Sequence, residues 1–331
     1  MTQETMQDLR KYVLTGFDKP WHFDPANPDS VANFFELGVP PEQVEALFDK
    51  ATAVKSPVFV FDENGKAYEA EGWTAITQPG MGRNVPYVGK SFEPHQFNDD
   101  LWAVIKEAIN GELRVASAGL LKQGAQAFVQ ISRPEPLEAS GLEFRPGLMG
   151  ATALDGTMKT GWFDTSVHTV CDNTCTWAIS SARASVRVKH TRNSVERIHK
   201  GDVLEALQSM AENMGHEINR AADTNVTDSQ FEQFLTALFP DPKDPETETR
   251  AKAQADRKRG EMRNMYHTDP RAKPWAGNVL GVMQAANTWF NHESPIRGAD
   301  RIERQKENTI NGKLEAFDAL AFNTIRQLVA A

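Results

Sequence analysis

Hydrophobic and polar positions alternate along the first half of the chain in a pattern that is typical of short strands joined by tight turns. The segment SPVFVFDENGKAYEA predicts two strands around Asn64-Gly65, because this dipeptide accepts the positive φ angles of a hairpin turn. ELRVASAGLL and AQAFVQISR predict a second hairpin with Lys122 and Gln123 in its turn. LMGATALDGTMKTGWFD repeats this form around LDGT. We therefore expect an antiparallel meander in the middle of the chain.

From Cys171 onward the apolar positions recur at intervals of three and four residues, which places them on one face of a helix. This stripe consists of Cys171, Cys175, Ala178, Ile179, Ala182 and Val186. Further helices are predicted over TDSQFEQFLTALF, residues 248–265, GNVLGVMQAANTWFNH and NGKLEAFDALAFNTIRQLVA. The sequence thus predicts an α+β fold: an antiparallel β-meander packed on a long helix, a β-β-β-α-like core, followed by a mostly helical C-terminal half.

Acidic and proline-containing stretches divide the chain into three parts. FPDPKDPETE is the preferred boundary, because proline lacks a backbone donor and restricts the residue before it. We expect an acidic N-terminal segment over residues 1–55, an α+β core over 56–240 and a helical region over 241–331. No apolar run approaches the roughly 20 residues of a membrane span, and the start of the chain lacks a signal-peptide pattern. The expectation is a cytoplasmic protein with no membrane partner.

The chain carries a net charge of -9, but its basic residues are clustered. Residues 181–200 contain six basic residues and one acidic residue, and phosphate contacts require such local Lys and Arg. The charged solvent face of a helix stays open as the alternative. The candidate nucleic-acid-binding residues are Arg183, Arg187, Lys189, His190, Arg192 and Arg197 in this stretch, Lys122, Gln123 and Lys159 at the turns, and Trp162 as a face for base stacking.

The two cysteines, Cys171 and Cys175, raise the question of a metal or redox site. Two thiolates four residues apart on a helix, completed by His168 or His190, would be one way to hold zinc. Structural zinc sites use CxxC knuckles or closely spaced histidine pairs, and the sequence has neither. We therefore expect both cysteines to be buried as small apolar residues and not to bind a metal. Because G-x-S-x-G, HExxH and P-loop motifs are also missing, no metal, cofactor or catalytic residue is predicted.

Several segments resemble a phage/plasmid-like protein family of unknown function, found in phages, prophages and plasmids. VHTVCDNTCTWAI is similar to its V-C-x-N-T-L segment and VKHTRN to its R-H-T-x-N segment. DKPWH, LDGTMK and NVLGVMQAANTWFNH resemble its A-W-H, H-D-G-S and C-terminal helix segments. The resemblance marks Cys171, Asn173, Thr174 and Thr191 as structural motif residues, with Asn173 and Thr174 in the first turn of the predicted helix. Cys175 stands where the family prefers Leu, which favours an apolar role.

The order of hairpins and helix is similar to the core of phage single-strand annealing proteins of the Red-beta, Erf and RecT kind. This resemblance implies a ring or filament of identical subunits that holds single-stranded DNA in a basic groove. The expectation is a phage- or mobile-element-encoded protein of the bacterial cytoplasm that binds single-stranded or duplex DNA, associates with itself, and promotes annealing or recombination. Two alternatives stay open: a host-directed protein-binding module, and an enzyme with an unrecognised site.

Overall fold

The computed structural model describes residues 11–20, 23–109, 113–168, 173–175, 186–188, 214–244, 246–295 and 301–330. The chain forms two compact units, each assembled from three segments. The first comprises Met1–Glu135, Gly147–Asp164 and Ala184–Gln208; the second comprises Pro136–Pro146, Thr165–Arg183 and Ser209–Ala331. Antiparallel sheets dominate the first unit and helices the second, so the predicted α+β class is confirmed. The three-part division of the sequence stays a prediction.

The strands and helices follow one another largely in the predicted order. The strands are β1 (Val13–Gly16), β2 (Phe34–Phe35), β3 (Val54–Phe61), β4 (Ala67–Gln78), β5 (Arg83–Gly89), β6 (Arg114–Leu121), β7 (Gln126–Ser132), β8 (Leu137–Ala139), β9 (Leu142–Ala153), β10 (Thr160–His168), β11 (Asn173–Cys175) and β12 (Val186–Val188). The helices are α1 (Pro28–Ala32), α2 (Pro41–Asp49), α3 (Ala103–Lys106), α4 (214–223), α5 (Asp228–Leu238), α6 (Thr249–Thr268), α7 (Val279–Thr288), α8 (Arg301–Ile310) and α9 (Lys313–Ala330). Wider, π-type turns lie at Phe97–Trp102, before α3, and at Trp289–Glu293, after α7.

The main sheet of the first unit contains β6, β7, β9 and β10 as successive neighbours. Strand β1 pairs with β6, β2 runs parallel to β1, and β12 pairs with the start of β10. The register sets Leu121 opposite Gln126, and Gln126 opposite Ala153. The end of β6, the start of β7 and the end of β9 therefore lie together. The β6–β7 turn and the β9–β10 loop consequently share one end of the main sheet.

A short helical segment covers the centre of the main sheet. The π-type turn before α3 and α3 itself bury Leu101 and Ile105 against Gly150 of β9. A Cβ atom at Gly150 would lie 2.8 Å from Ile105 Cδ1 and 2.9 Å from Leu101 Cδ1, so a larger residue would require these two buried side chains to shift. Trp162 of β10 fills the same core. This segment therefore provides a helical layer on one face of the antiparallel meander.

Strands β3, β4 and β5 form a separate antiparallel sheet in that order. The predicted turn at Asn64-Gly65 joins β3 to β4, with Gly65 at φ 79°, so this hairpin is confirmed. Gln78, at the end of β4, is fully buried, and its Nε2 donates to the carbonyl oxygens of Ala51 and Gly124 at 2.8 Å. One side-chain amide therefore ties the base of this sheet to the β6–β7 turn.

The second unit is built around α7, in which every residue is buried. Helices α6 and α9 contact α7, and α9 also contacts α5. Helix α5 begins with a capping box: Thr227 Oγ1 accepts from the Gln230 N–H at 3.2 Å, and Gln230 Oε1 accepts from the Thr227 N–H at 2.9 Å. The predicted helices at α5, α6, α7 and α9 are confirmed.

The prediction of a helix that begins at Cys171 is wrong where the structure describes this region. Asn173 and Thr174 lie in β11, which pairs with the end of β10, and not in the first turn of a helix. Arg187 lies in β12, opposite Gly161. Cross-strand pairing with β10 therefore overrides the three-and-four spacing of the apolar positions. Cys171 itself falls outside the described residues.

Candidate nucleic-acid interface

The predicted turn residues Lys122, Gln123 and Lys159 lie at one end of the main sheet. Lys122 is half-buried and Gln123 is exposed in the β6–β7 turn, and Lys159 is exposed in the β9–β10 loop. The Leu154 N–H donates to the Ala125 carbonyl oxygen at 2.8 Å, which holds the loop beside the turn. The structure thus brings together these three residues, which we call the turn cluster.

The β6–β7 turn has a constrained backbone. Lys122 and Gln123 adopt φ angles of 47° and 58°, a left-handed conformation that is uncommon for residues other than glycine. Gly124 follows at φ 93° and accepts the hydrogen bond from Gln78. Because a buried amide fixes this turn from inside, the Lys122 and Gln123 side chains project from a preorganised backbone. Strain of this kind often occurs at binding sites.

Hydrogen bonds between polar side chains position the β9–β10 loop. Gln126 Nε2 donates to Thr157 Oγ1 at 3.1 Å, and the Asp155 carboxylate accepts from the Thr157 N–H at 3.0 Å. At the start of β10, the buried Thr160 hydroxyl lies 2.6 Å from both Thr152 Oγ1 and His95 Nδ1. Lys159 therefore lies between two segments whose positions are fixed by side-chain hydrogen bonds.

The basic stretch of residues 181–200 is described only at β12. Thr160 pairs with Val188 and Gly161 with Arg187, so β12 ends at the same end of the main sheet as the turn cluster. The backbone of Arg187 consequently lies beside the strand that follows Lys159. The remaining predicted positions Arg183, Lys189, His190, Thr191, Arg192 and Arg197 lie outside the described residues.

Trp162 does not offer a face for base stacking in this fold. Only 1% of its surface is exposed, because β10 directs it into the core beneath α3. The prediction that Trp162 stacks on bases is contradicted by this burial. Instead, Trp73 and Tyr87 are 51% and 64% exposed, with ring centroids 5.3 Å apart at an interplanar angle of 88°. Sequence reasoning missed this pair, although the alternation in GWTAITQ marks Trp73 as a strand residue.

Neither a metal-binding cluster nor a membrane-spanning helix occurs in the part of the chain that the structure describes. Across the described ranges, no three His, Cys, Asp or Glu side chains gather in a way that would hold a metal ion. In that same part of the chain, every helix is too short or too polar to cross a membrane. Burial raises the pKa of Asp100, at the start of the segment that covers the sheet, while the Gln96 N–H partly offsets this by donating to the carboxylate at 2.6 Å. The Asp100 carboxyl group therefore accepts a hydrogen bond from the N-cap residue of this helical segment.

The fold and the turn cluster define an α+β protein with a basic end on its antiparallel sheet. A family model described as Domain of unknown function (DUF932) matches residues 86–311, more than half of the 331-residue chain. The chain belongs to this family. The matched span begins within β5 and ends just after α8, so it contains the turn cluster and all of α7. Comparisons with curated proteins and with solved structures found no match.

Proposed function

We propose that the chain is a phage- or mobile-element-encoded protein that binds single-stranded DNA and promotes its annealing or recombination. The observation that supports this proposal is the convergence of Lys122, Gln123 and Lys159 at one end of the main sheet, beside the strand that carries Arg187. Lysine and arginine side chains contact phosphates, and amide side chains add hydrogen bonds to the backbone. A local site of this kind is compatible with a net charge of -9, because binding depends on nearby cations.

The spacing of the strands gives the basic end its reach. From β6 to β12 the order of neighbours is β6, β7, β9, β10 and β12. Adjacent strands lie about 4.8 Å apart, so the four steps from β6 to β12 extend over roughly 19 Å. An extended single strand that follows this end would present several successive phosphates to Lys122, Lys159 and the backbone region of Arg187.

The test is a fluorescence-polarisation titration of the full chain with a labelled oligothymidine at several salt concentrations. Each neutralised phosphate contributes about -0.7 to the log-log salt slope of a single strand, so contacts from Lys122, Lys159 and Arg187 give a slope of roughly -2. The double variant Lys122→Gln and Lys159→Gln should bind more weakly, with a slope shallower by about 1.4, because each lost phosphate contact removes about 0.7. The matched control replaces Lys243 and Lys273, two exposed lysines of the second unit, by Gln. Wild-type protein that does not bind at low salt, or binds without salt dependence, would refute the proposal.

A further inference from the structure

The sheet formed by β3, β4 and β5 exposes an unusual amount of apolar surface. Most of the exposed large apolar side chains in the described ranges belong to it, namely Val54, Phe59, Val60, Phe61, Tyr68, Trp73 and Tyr87. Contiguous exposed apolar surface marks interaction sites on soluble proteins. The turn cluster does not use this surface, so a different ligand contact has to account for it.

The cross-strand register separates the two faces of this sheet. Thr74 pairs with Val88, and both are buried together with Ile76 on one face. Trp73 and Tyr87, at alternate positions, lie on the other face, where their rings meet edge to face. We call the side of the sheet that carries these two rings the aromatic face. Its two rings are more than half exposed, so each is open to a flat ligand.

Charge distinguishes the aromatic face from the tip of the hairpin. From Trp73 toward Gln78, the positions that continue this face are uncharged: Val54, Ser56, Ala75 and Thr77. The hairpin beyond Trp73 carries four acidic residues against Lys66, namely Asp62, Glu63, Glu69 and Glu71, and Glu71 lies two residues before Trp73 in β4. Trp73 pairs with Gly89, and the N–H of the next residue, Lys90, donates to the Gly72 carbonyl oxygen at 3.0 Å. By the same alternation, Lys90 belongs to the side of the sheet opposite to the aromatic face. Uncharged positions beside the rings fit neutral bases, whereas the acidic residues of the hairpin repel phosphates. The phosphates of a bound strand are therefore directed to the base of this sheet, where Gln78 contacts the turn that carries Lys122.

The aromatic face lies close to the turn cluster. A Cβ atom at Gly156, in the β9–β10 loop, would lie 3.8 Å from Val88 Cγ1. The loop that carries Lys159 therefore contacts the opposite side of β5, which is an edge strand. The thickness of one sheet layer, about 10 Å, separates this loop from the aromatic face. A single strand that passes the edge of β5 would meet both sites.

We infer that the aromatic face, through Trp73 and Tyr87, is a stacking site for unpaired bases of the single strand held by the turn cluster. This inference rests on the proposed function and specifies how that site selects single strands, because bases in a duplex are already stacked on one another. Stacking is tolerant of sequence, since every base has a π face. Loss of one aromatic side chain is expected to weaken binding about 5- to 150-fold.

The experiment compares oligothymidine with an abasic oligonucleotide of equal length in the same polarisation assay. Wild-type protein should prefer oligothymidine, and the double variant Trp73→Ala and Tyr87→Ala should lose this preference while it keeps the wild-type salt slope. Trp73→Phe should retain most of the preference, because phenylalanine still stacks. Phe61→Ala, which removes a 71% exposed aromatic ring at the tip, is the matched control and should bind like wild type.

Three results would overturn the inference. A double variant that still discriminates against the abasic strand shows that bases stack elsewhere, and the proposed function would then stand without this site. An equal loss in Phe61→Ala shows that the effect is not specific to the aromatic face. A wild-type dimer that dissociates in the double variant shows that the face contacts a second copy of the chain. Failure of wild type to bind either strand at low salt would instead refute the proposed function itself.

Discussion

The buried pair formed by Asn287 and Asp318 makes the second unit sensitive to the loss of one amide group. Asn287 Nδ2 donates to both carboxylate oxygens of Asp318 at 3.2 Å, and both residues are fully buried. Asn287 Oδ1 accepts from Asn291 Nδ2 at 3.0 Å. Replacement of Asn287 by Leu preserves approximate side-chain volume, removes the donor to the carboxylate, and removes the acceptor for Asn291. The variant therefore isolates the contribution of the polar contacts.

The magnitude follows from the groups that lose a partner. A hydrogen bond to a charged group contributes about 1.5–3 kcal/mol, and the contact with Asn291 about 1 kcal/mol. We therefore expect Asn287→Leu to lower the free energy of unfolding by about 3 kcal/mol, a large share of the roughly 5–15 kcal/mol of a typical domain. Joint replacement of Asn287 and Asp318 by Leu should cost less than Asn287→Leu alone, because the buried carboxylate that loses the Asn287 donor is then removed as well.

Urea unfolding followed by far-UV circular dichroism measures these differences. The midpoint of Asn287→Leu should fall while the slope of the transition stays unchanged. Asn264→Leu, at an exposed position on α6, is the control and should stay within about 0.5 kcal/mol of wild type. If the double variant is as unstable as the sum of its two single variants, the two side chains are not coupled and the reasoning fails.

Glycine positions and one ion pair give further predictions. Gly281→Ala should lower the free energy of unfolding by about 2–3 kcal/mol or more, since its Cβ atom would lie 2.1 Å from the Trp275 carbonyl oxygen. Gly260→Ala, whose Cβ atom would meet nothing within 4 Å, should raise the free energy of unfolding by about 0.5–1 kcal/mol, measured by thermal unfolding. A stabilising Gly281→Ala would contradict the close packing of α7 against Trp275, and a destabilising Gly260→Ala would contradict the open space at Gly260. Hydrogen bonds from Arg271 hold the pKa of Asp269 below its ordinary value. The stability that this pair supplies is therefore present above the unfolded pKa of about 3.9 and is lost as the pH falls through the lower folded pKa. Asp269→Asn should cost about 1 kcal/mol at neutral pH and flatten the acid limb of the urea midpoint, and an unchanged acid limb would count against the pair.

Local turn and helix signals predicted much of the fold because each had a physical reason that depended on few residues. Asn64-Gly65 formed its hairpin turn since glycine accepts the positive φ that the turn requires. The helix predicted over TDSQFEQFLTALF formed as α5, and the structure shows a capping box of Thr227 and Gln230 at its start. Strands β11 and β12 are only three residues each, and β12 pairs with residues of β10 that lie more than 20 positions earlier in the chain. Periodicity within so short a segment does not separate a strand from a helix.

The candidate site was predictable in its lysines but not in its aromatic residues. Lys122 and Lys159 follow from turn positions, and any antiparallel meander brings alternate turns to the same end of its sheet. The direction of Trp162 depends on register, because a shift of one residue exchanges the buried and exposed faces of a strand. Trp73 was missed since large aromatic side chains are usually buried. Trp73 is exposed because only one face of this sheet is covered, and only near its base.

Gln78 links the turn cluster to the sheet that carries the aromatic face, and no sequence pattern predicts this link. Its Nε2 atom donates both to Ala51, beside the start of β3, and to Gly124, in the turn that carries Lys122. Gln78 also ends β4, the strand that holds Trp73 on the aromatic face. The position of the rings and the conformation of the lysine turn therefore share one fully buried anchor. Because buried polar groups require their partners, neither element can shift without breaking this contact. In the proposed function, one strand contacts the lysine turn with its phosphates and the rings with its bases, and this anchor would fix the distance between the two contacts.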